Sequence, residues 1–460
     1  MKTKHPPSNR KKGIYISRQF EGYGAHVAIY YELKIKVHMR HPKNLDNLEK
    51  ICMEEWAKIT PETCAGLIRS YKRRLLAVIA NKDYSKLQGN IMDSPSPPVG
   101  VCLDMCPERE RQERESQGRL HQYEIQRSQR AGKDPRGRGR PTADPEKTVK
   151  EYSRPAAGKE LSCPMDLRPP ATLAKTVQYL LMGVCSSVNF RDLSSLAKAY
   201  TFVFDRLRAV RQDLIVQRIR GPEGALVLEG SLGFLLCAPY LVTDLPLADY
   251  DEVLHSTQVR ESFAELIECY KCSGEFPRQA EFQSLLLLYN LGSMDTIHRA
   301  LQLPCALRQS PHVQLAISIN NAYLENNWVR LFRLVNQLNC LQACAFYRHL
   351  PGSRHKALCA LIHGYSSRNC RFPLNLLTRL IALDSPSLAS EMCVKRGQTV
   401  TAGERPSVLF LKTALNDVKP ERPGREINLV EKKKGEASWA EVMIGEERVI
   451  KDGAQSHQTS

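Results

Sequence analysis

The chain has 460 residues, a formal net charge of +17 and a hydrophobic fraction of 42%, apolar enough for a sizeable core and incompatible with a wholly disordered polypeptide. No unbroken apolar run reaches the roughly 18 residues of a membrane span; the longest stretch, Leu226 to Val242, is interrupted by Glu229, Gly230, Gly233 and Pro239. The start, Met1 to Pro7, lacks the apolar region of a secretory signal, so the 15 cysteines are expected to be reduced thiols and mostly buried.

Residues 1–90 carry most of the basic excess, 18 Lys and Arg against 8 Asp and Glu. Leu45, Leu48, Ile51, Cys52, Trp56 and Ile59 recur at helical spacing. Thr60 then precedes Pro61, a cap and first-turn pair for a second helix. That helix places Leu67, Ile68, Tyr71, Leu75 and Val78 on one side and Arg69, Lys72, Arg73 and Arg74 on the other. The run from Glu32 to Lys86, with Val37-His-Met-Arg-His-Pro-Lys-Asn-Leu-Asp at its centre, resembles the C-terminal tail of Tc/mariner transposases. The acidic metal ligands of that family lie upstream of this tail. The resemblance therefore implies a fused remnant, or a product of the gene model, without transposase chemistry.

Residues 91–170 form a lead-in. Ser94-Pro-Ser-Pro-Pro98 reads as a linker. Cys102 and Cys106 are four apart and would meet on a helix as packed thiols. A mixed-charge helix is expected from Pro107 to Ser128, with Glu110/Arg114 and Glu115/Arg119 as exposed i,i+4 pairs. Arg136-Gly-Arg-Gly-Arg140 reads as a solvated basic loop.

Helical periodicity dominates residues 171–365. Val203, Leu207, Val210 and Leu214 form an apolar stripe. Arg206, Asp213 and Gln217 form a polar stripe on the same helix. Arg206, Arg211 and Asp213 are expected to pair with neighbouring helices and hold them in register. Further helices are expected at 172–182, 224–237, 256–270, 279–291, 312–325, 327–338, 341–349 and 355–363. Hairpins at this spacing suggest a stacked α-solenoid. Residues 366–415 change character: a helix from Phe372, a second from Pro386 capped by Ser385, then extended pieces at 398–401 and 407–412. Helix, helix, hairpin is the order of a winged helix, and Arg379, Lys395, Arg396 and Lys412 are candidates for a nucleic-acid-facing basic surface. Residues 416–460 are charge-dense and expected to be disordered, with Trp439, Met443 and Ile444 as an apolar patch for docking on a partner.

No chemistry-bearing pattern appears. There is no phosphate-binding GxxxxGK[ST] loop, no HExxH, and no GxSxG on a strand-turn-helix. Cys269 and Cys272 lie at a helix end, and Cys340 and Cys344 on another helix, without a second close pair to complete a zinc site. No cofactor, metal, small-molecule substrate or membrane contact is expected.

One resemblance covers about residues 99–412. It rests on Cys102-Leu-Asp-Met-Cys-Pro-Glu-Arg-Glu-Arg111, Val149-Lys-Glu-Tyr-Ser-Arg154, Leu167-Arg-Pro169 and the block Phe202 to Arg218. These resemble the SAC/GANP family (leucine-permease transcriptional regulators). Its motif residues map here onto Cys102, Asp104, Met105, Cys106, Pro107, Glu110, Arg111, Arg206, Arg208, Arg211, Gln212, Asp213 and Gln217 as structural positions. The resemblance implies a PCI-like α-solenoid ending in a winged helix, and a non-catalytic scaffold. Long members serve nuclear mRNA export and pair with a second PCI-domain protein. The chain looks more like the short, single-domain members associated with centrosome duplication, spindle assembly and cell division. Protein partners, weak nucleic-acid binding, and a place at centrosome, spindle and cytoplasm, with the nucleus as the alternative, are the corresponding expectations.

Overall fold

The computed structural model describes Glu54 and residues 97–126, 141–154, 163–189, 192–246, 249–414 and 424–445. The chain divides into two compact units, Met1–Ser96 and Pro97–Ser460. In the first, Glu54 is helical. Apart from Glu54, the transposase-like stretch, with its two helical stripes, the basic loop at 136–140 and residues 446–460 lie outside the described residues.

In the second unit, α1 (Glu108–Ser116) begins after Pro107, with Glu108 and Glu110 in its first turn, where carboxylates favour the helix dipole. It is much shorter than the expected 107–128 helix. Gly118 turns the chain left-handed at φ +68° just past the helix end, and the following segment bridges Ile125 to Ala143. Cys102 and Cys106 precede α1 in irregular backbone, so they do not share a helix.

Helices then follow in succession. They are α2 (Pro170–Gln178), α3 (Leu193–Val216), α4 (Gly221–Leu241), α5 (Glu252–Tyr270), α6 (Gln279–Tyr289), α7 (Met294–Leu301), α8 (Cys305–Arg308), α9 (Pro311–Leu324), α10 (Trp328–Val335), α11 (Cys340–Tyr347) and α12 (Leu350–Gly364). Side chains cap the starts of many: Asp192, Asp251, Ser293, Ser310, Asn327 and Asn339 each accept an N–H from the first turn. The short helices α7 and α8 fill a stretch in which no helix was expected.

Helix α4 is the centre of the core. It packs against α2, α3, α5 and α11. The helix expected at 224–237 extends at both ends, and Glu229, Gly230, Gly233 and Pro239, which interrupt the apolar run, all lie within it. Its environment explains this. Tyr270 Oη donates to Glu229 Oε1 at 2.9 Å, so the carboxylate is satisfied where it is buried. The glycines admit close neighbours: a methyl on Gly230 would lie 2.8 Å from Val177. By length and composition α4 could cross a bilayer, but 89% of its most apolar stretch is buried inside the protein.

Beyond α12 come β1 (Phe372–Pro373), α13 (Leu374–Leu380), α14 (Pro386–Lys395), β2 (Thr399–Thr401) and β3 (Ser407–Leu409). The sheet order is β1-β3-β2, antiparallel throughout, with Phe372 opposite Val408 and Val400 opposite Val408 on the other side. Helix, helix and hairpin thus follow one another as the sequence pattern predicts, and the protein is mainly helical and solenoid-like.

The expectation of a disordered tail fails for residues 424–445. A wide helical turn at Ile427–Glu431 runs into α15 (Lys432–Lys434), and α16 (Trp439–Ile444) follows, opened by a capping box between Ser438 and Glu441. Leu429, Val430, Trp439, Ala440 and Met443 are all buried. This strap packs on α4 and α11, because its apolar side chains find a surface prepared by residues far upstream.

Candidate functional site

The family-motif residues converge on the polar face of α3. Asp213 is buried on that face. Lys150 Nζ and Arg168 Nε each donate to one of its carboxylate oxygens at 2.8 Å. Arg168 also donates through Nη1 to Met105 O at 3.2 Å, and Lys150 N donates to the same carbonyl at 3.0 Å. One helical turn further, Gln217 accepts from Gly100 N and donates to Arg168 O, both at 2.8 Å. Gly100 is required here: a methyl on it would lie 2.4 Å from Leu167 O.

A second cluster sits two turns earlier. Arg114 of α1, wholly buried, pairs with Glu124 and donates to Val149 O at 2.9 Å. Arg206 of α3 approaches Glu124 and Glu151 at 3.3 Å each. Burial alone would raise the Glu124 carboxyl; Arg206 and Arg114 override it and hold it below the usual carboxylate range. Burial likewise pulls on Arg114, and Glu124 more than offsets it. Glu110 accepts Glu151 N at 2.7 Å, and its carboxyl is raised by burial.

The remaining motif residues serve the same docking. Arg111 pairs with Asp104 at 3.1 Å near the surface. Cys102 Sγ contacts Asp104 O at 3.3 Å, and Cys106 is buried beside Arg114, 3.9 Å from its Nη1, with its thiol pushed up by burial. Pro107 O accepts Arg111 N at 3.0 Å and so opens α1. Arg208 stacks 3.8 Å over the Tyr152 ring, and Gln212 donates to Ser153 O at 2.8 Å.

These contacts correct two expectations. Arg206 and Asp213 tie the lead-in onto α3 rather than joining solenoid helices to one another. Arg211 alone reaches another solenoid helix, pairing with Glu261 of α5 in a partly exposed position. Of the two expected exposed i,i+4 pairs, Glu110–Arg114 forms at 3.5 Å but with Arg114 buried, and Glu115 and Arg119 turn to other partners. Arg114 turns into the core, while Glu115 accepts Ala143 N at 3.0 Å and Arg119 pairs with Glu113 and Glu151. Arg114, Glu124, Lys150, Glu151 and Arg168 were missed as partners. Lys150, Glu151 and Arg168 lie inside motif blocks quoted above, which was the available signal; nothing in the sequence marks Glu124.

The candidate basic surface is only partly assembled. Arg379 and Lys412 are exposed. Lys395 is exposed and pairs with Glu391 at 2.8 Å. Arg396 is buried and turned inward, with Nη2 3.1 Å from His355 Nδ1 and Nη1 donating to Met392 O at 3.2 Å. It cannot share a face with the other three. Lys412 N donates to Ser366 Oγ at 3.1 Å, which places Lys412 beside the loop carrying exposed Arg368 and Arg371.

Trp439, Met443 and Ile444, read as a docking patch for a partner, are engaged within the chain. The Trp439 ring lies 5.7 Å from that of Tyr240. Met443 rests on Gly233, where a methyl would lie 2.1 Å from Met443 O. Arg278 donates to Ile444 O at the helix end, a favourable place for a cation. Upstream, Arg354 forms a buried pair with Glu426, at 2.5 Å to Oε1 and 2.8 Å to Oε2, and donates to Ile381 O at 3.1 Å. Asp384 accepts Ile427 N and Asn428 N at 2.7 and 2.8 Å.

Seven of the 13 described cysteines are buried, and all 13 are free thiols. Cys269 is buried and Cys272 exposed. Cys340 and Cys344 share the core with Cys237; hydrogen bonding between thiols and burial push both Cys340 and Cys344 up. Among the described residues no group of three or more His, Cys, Asp or Glu is arranged to hold a metal ion.

The arrangement of motif residues agrees with comparisons to known proteins. Over 397 residues the chain is 29% identical to SAC3 family protein 1 of Schizosaccharomyces pombe, covering 78% of this chain and 37% of that protein. It is 27% identical over 375 residues to Protein xmas of Drosophila melanogaster, covering 78% of this chain and 17% of that protein. SAC3 family protein B of Arabidopsis thaliana is 28% identical over 317 residues, covering 64% of this chain and 17% of its own length. The chain therefore spans well under half the length of these relatives. Residues 105–402, from the cysteine-proline motif to the β-hairpin, match the model of the SAC3/GANP family, and the chain belongs to that family.

Proposed function

We propose that the protein is a non-catalytic SAC3-type scaffold, acting by holding protein partners on its helical platform. The observation that carries this reading is the buried ion-pair lock. Charged groups that in an enzyme would line an accessible cleft are here spent on fixing the lead-in to α3, with Arg114, Arg168 and Asp213 sealed from solvent. Such pairs fix geometry more than they add stability, which suits a surface that must present a constant shape.

As its cellular setting we propose centrosome duplication, spindle assembly and cell division. The resemblance of residues 99–412 to the SAC/GANP family, some of whose members serve there, supports this. Tagging the chain with a fluorescent protein and imaging cells through mitosis tests it: accumulation at spindle poles is expected, and a signal confined to the nuclear rim would remove it. The exposed cluster of Arg368, Arg371 and Lys412 supports a second reading, an adaptor in nuclear mRNA export whose winged-helix-like end touches nucleic acid through phosphates. In that case Arg371→Glu with Lys412→Glu weakens RNA binding and flattens its salt dependence. RNA binding unchanged by both substitutions would exclude that end as the contact.

A further inference from the structure

A cleft of about 380 Å³ opens away from both the lock and the strap. Its walls are α5, the end of α6, the turn before α7 and the connection from α11 to α12. Arg260 enters it from α5 and Arg348 from the α11–α12 connection. The Arg348 guanidinium lies 4.5 Å over the centre of the Tyr289 ring, which holds it in a preset orientation. Arg260 Nη2 donates to Thr257 Oγ1 at 3.3 Å. Neither guanidinium pairs with a carboxylate among the described residues, whereas Arg211, Arg220 and Arg354 each do.

The cleft is rich in donors. Ser293 caps α7 by accepting Thr296 N and Thr296 Oγ1, so its own hydroxyl proton is available. The His349 imidazole is held down to about 4 by burial and is neutral, with Nε2 donating to Tyr289 O at 2.9 Å. The nearby carboxylates are Glu252, two turns before Arg260 on α5, and Asp295 in the first turn of α7; both are exposed.

We propose that this cleft binds a phosphate monoester carried on a side chain of a protein partner, with Arg260 and Arg348 taking the phosphoryl oxygens and the Ser293 hydroxyl donating beside them. Two uncompensated guanidinium groups match the charge of a monoester near neutral pH. The two guanidinium groups flank one short cleft, which suits a single phosphorylated side chain, whereas a nucleic-acid backbone needs a groove that follows several successive phosphates. The proposal goes beyond the scaffold reading and is independent of its cellular setting.

The test passes the purified full-length chain over two immobilised peptide libraries. Both have degenerate flanks; one holds a fixed phosphothreonine and the other threonine. Retention on the phosphothreonine library should be at least about tenfold higher, a difference near 1.4 kcal/mol, and phenyl phosphate should release the protein. Arg260→Gln with Arg348→Gln should abolish the difference. Ser293→Asp should abolish it too: aspartate still caps the helix but sets a negative charge at the mouth of the cleft. Should the double variant fail to fold, Ser293→Asp decides alone. Equal retention on the two libraries, a preference surviving Ser293→Asp, or release by single-stranded oligouridylate but not by phenyl phosphate would each overturn the proposal.

Discussion

Asp213 shows at the scale of one residue why a charge can be placed inside a helical protein. It is buried on the polar face of α3, and two cations from the lead-in take up its oxygens. Removing the carboxylate leaves Arg168 buried without its ion-pair partner. Asp213→Ala should therefore cost about 3–5 kcal/mol in urea unfolding, whereas Arg211→Ala, at a partly exposed pair, should cost less than about 1 kcal/mol. Equal effects would show that the lock is not energetically distinct. Histidines supply a second residue-scale prediction. Burial holds His255 and His349 down at about 4, and His255 joins Tyr200 Oη to Leu235 O at 3.0 and 2.8 Å. An unfolded histidine titrates near 6.5. Above that pH both imidazoles are neutral in either state, and their full contribution is present. As pH falls from about 6.5 toward 4, the unfolded chain binds protons that the folded chain refuses, so stability falls by roughly 1.4 kcal/mol per pH unit per histidine. Unfolding measured between pH 7 and 5 should show this fall, and His255→Gln should make it shallower.

At the scale of elements, α4 and α16 define each other. Glycine inside a helix ordinarily weakens it, yet Gly233 is the place where Met443 comes closest. Gly233→Ala should improve the intrinsic helicity of α4 and still destabilise the protein, because the strap must lift. Limited proteolysis at Lys432–Lys434 reads the outcome: faster cleavage in the variant is expected, and unchanged protection would mean that the strap is held elsewhere. Trp439→Ala should cost about 3–5 kcal/mol through the cavity it leaves. The misreading of this tail has a physical source. Lys432, Lys433, Lys434, Glu436 and Glu441 give the segment a disordered composition, and its helical pieces are too short to show periodicity. What orders it is a surface some 200 residues upstream in the sequence.

At the scale of the whole molecule, the strap joins the helical body to the hairpin end. Arg354 on α12 holds Glu426 of the strap and the carbonyls of Ile381 and Ala382 after α13. Truncation after residue 423 should therefore remove more than the buried area of the tail. Calorimetry should show the second unit unfolding in one transition in the full chain and in two after truncation, as the body and the hairpin end unfold separately. A single transition in the truncated chain would show that α10 and α13 couple them without the strap.

The sequence by itself determined the helical class, because apolar residues at three- and four-residue steps, such as Val203, Leu207, Val210 and Leu214, can be buried together only on a helix; all four are buried. It also determined that α3 carries aligned polar groups. Only the tertiary structure decided which groups those are paired with, that α4 continues past residue 237 through Pro239, and that Arg396 faces inward while Lys412 faces out. Each of these depends on side chains brought together from distant parts of the chain, and local periodicity holds no record of them.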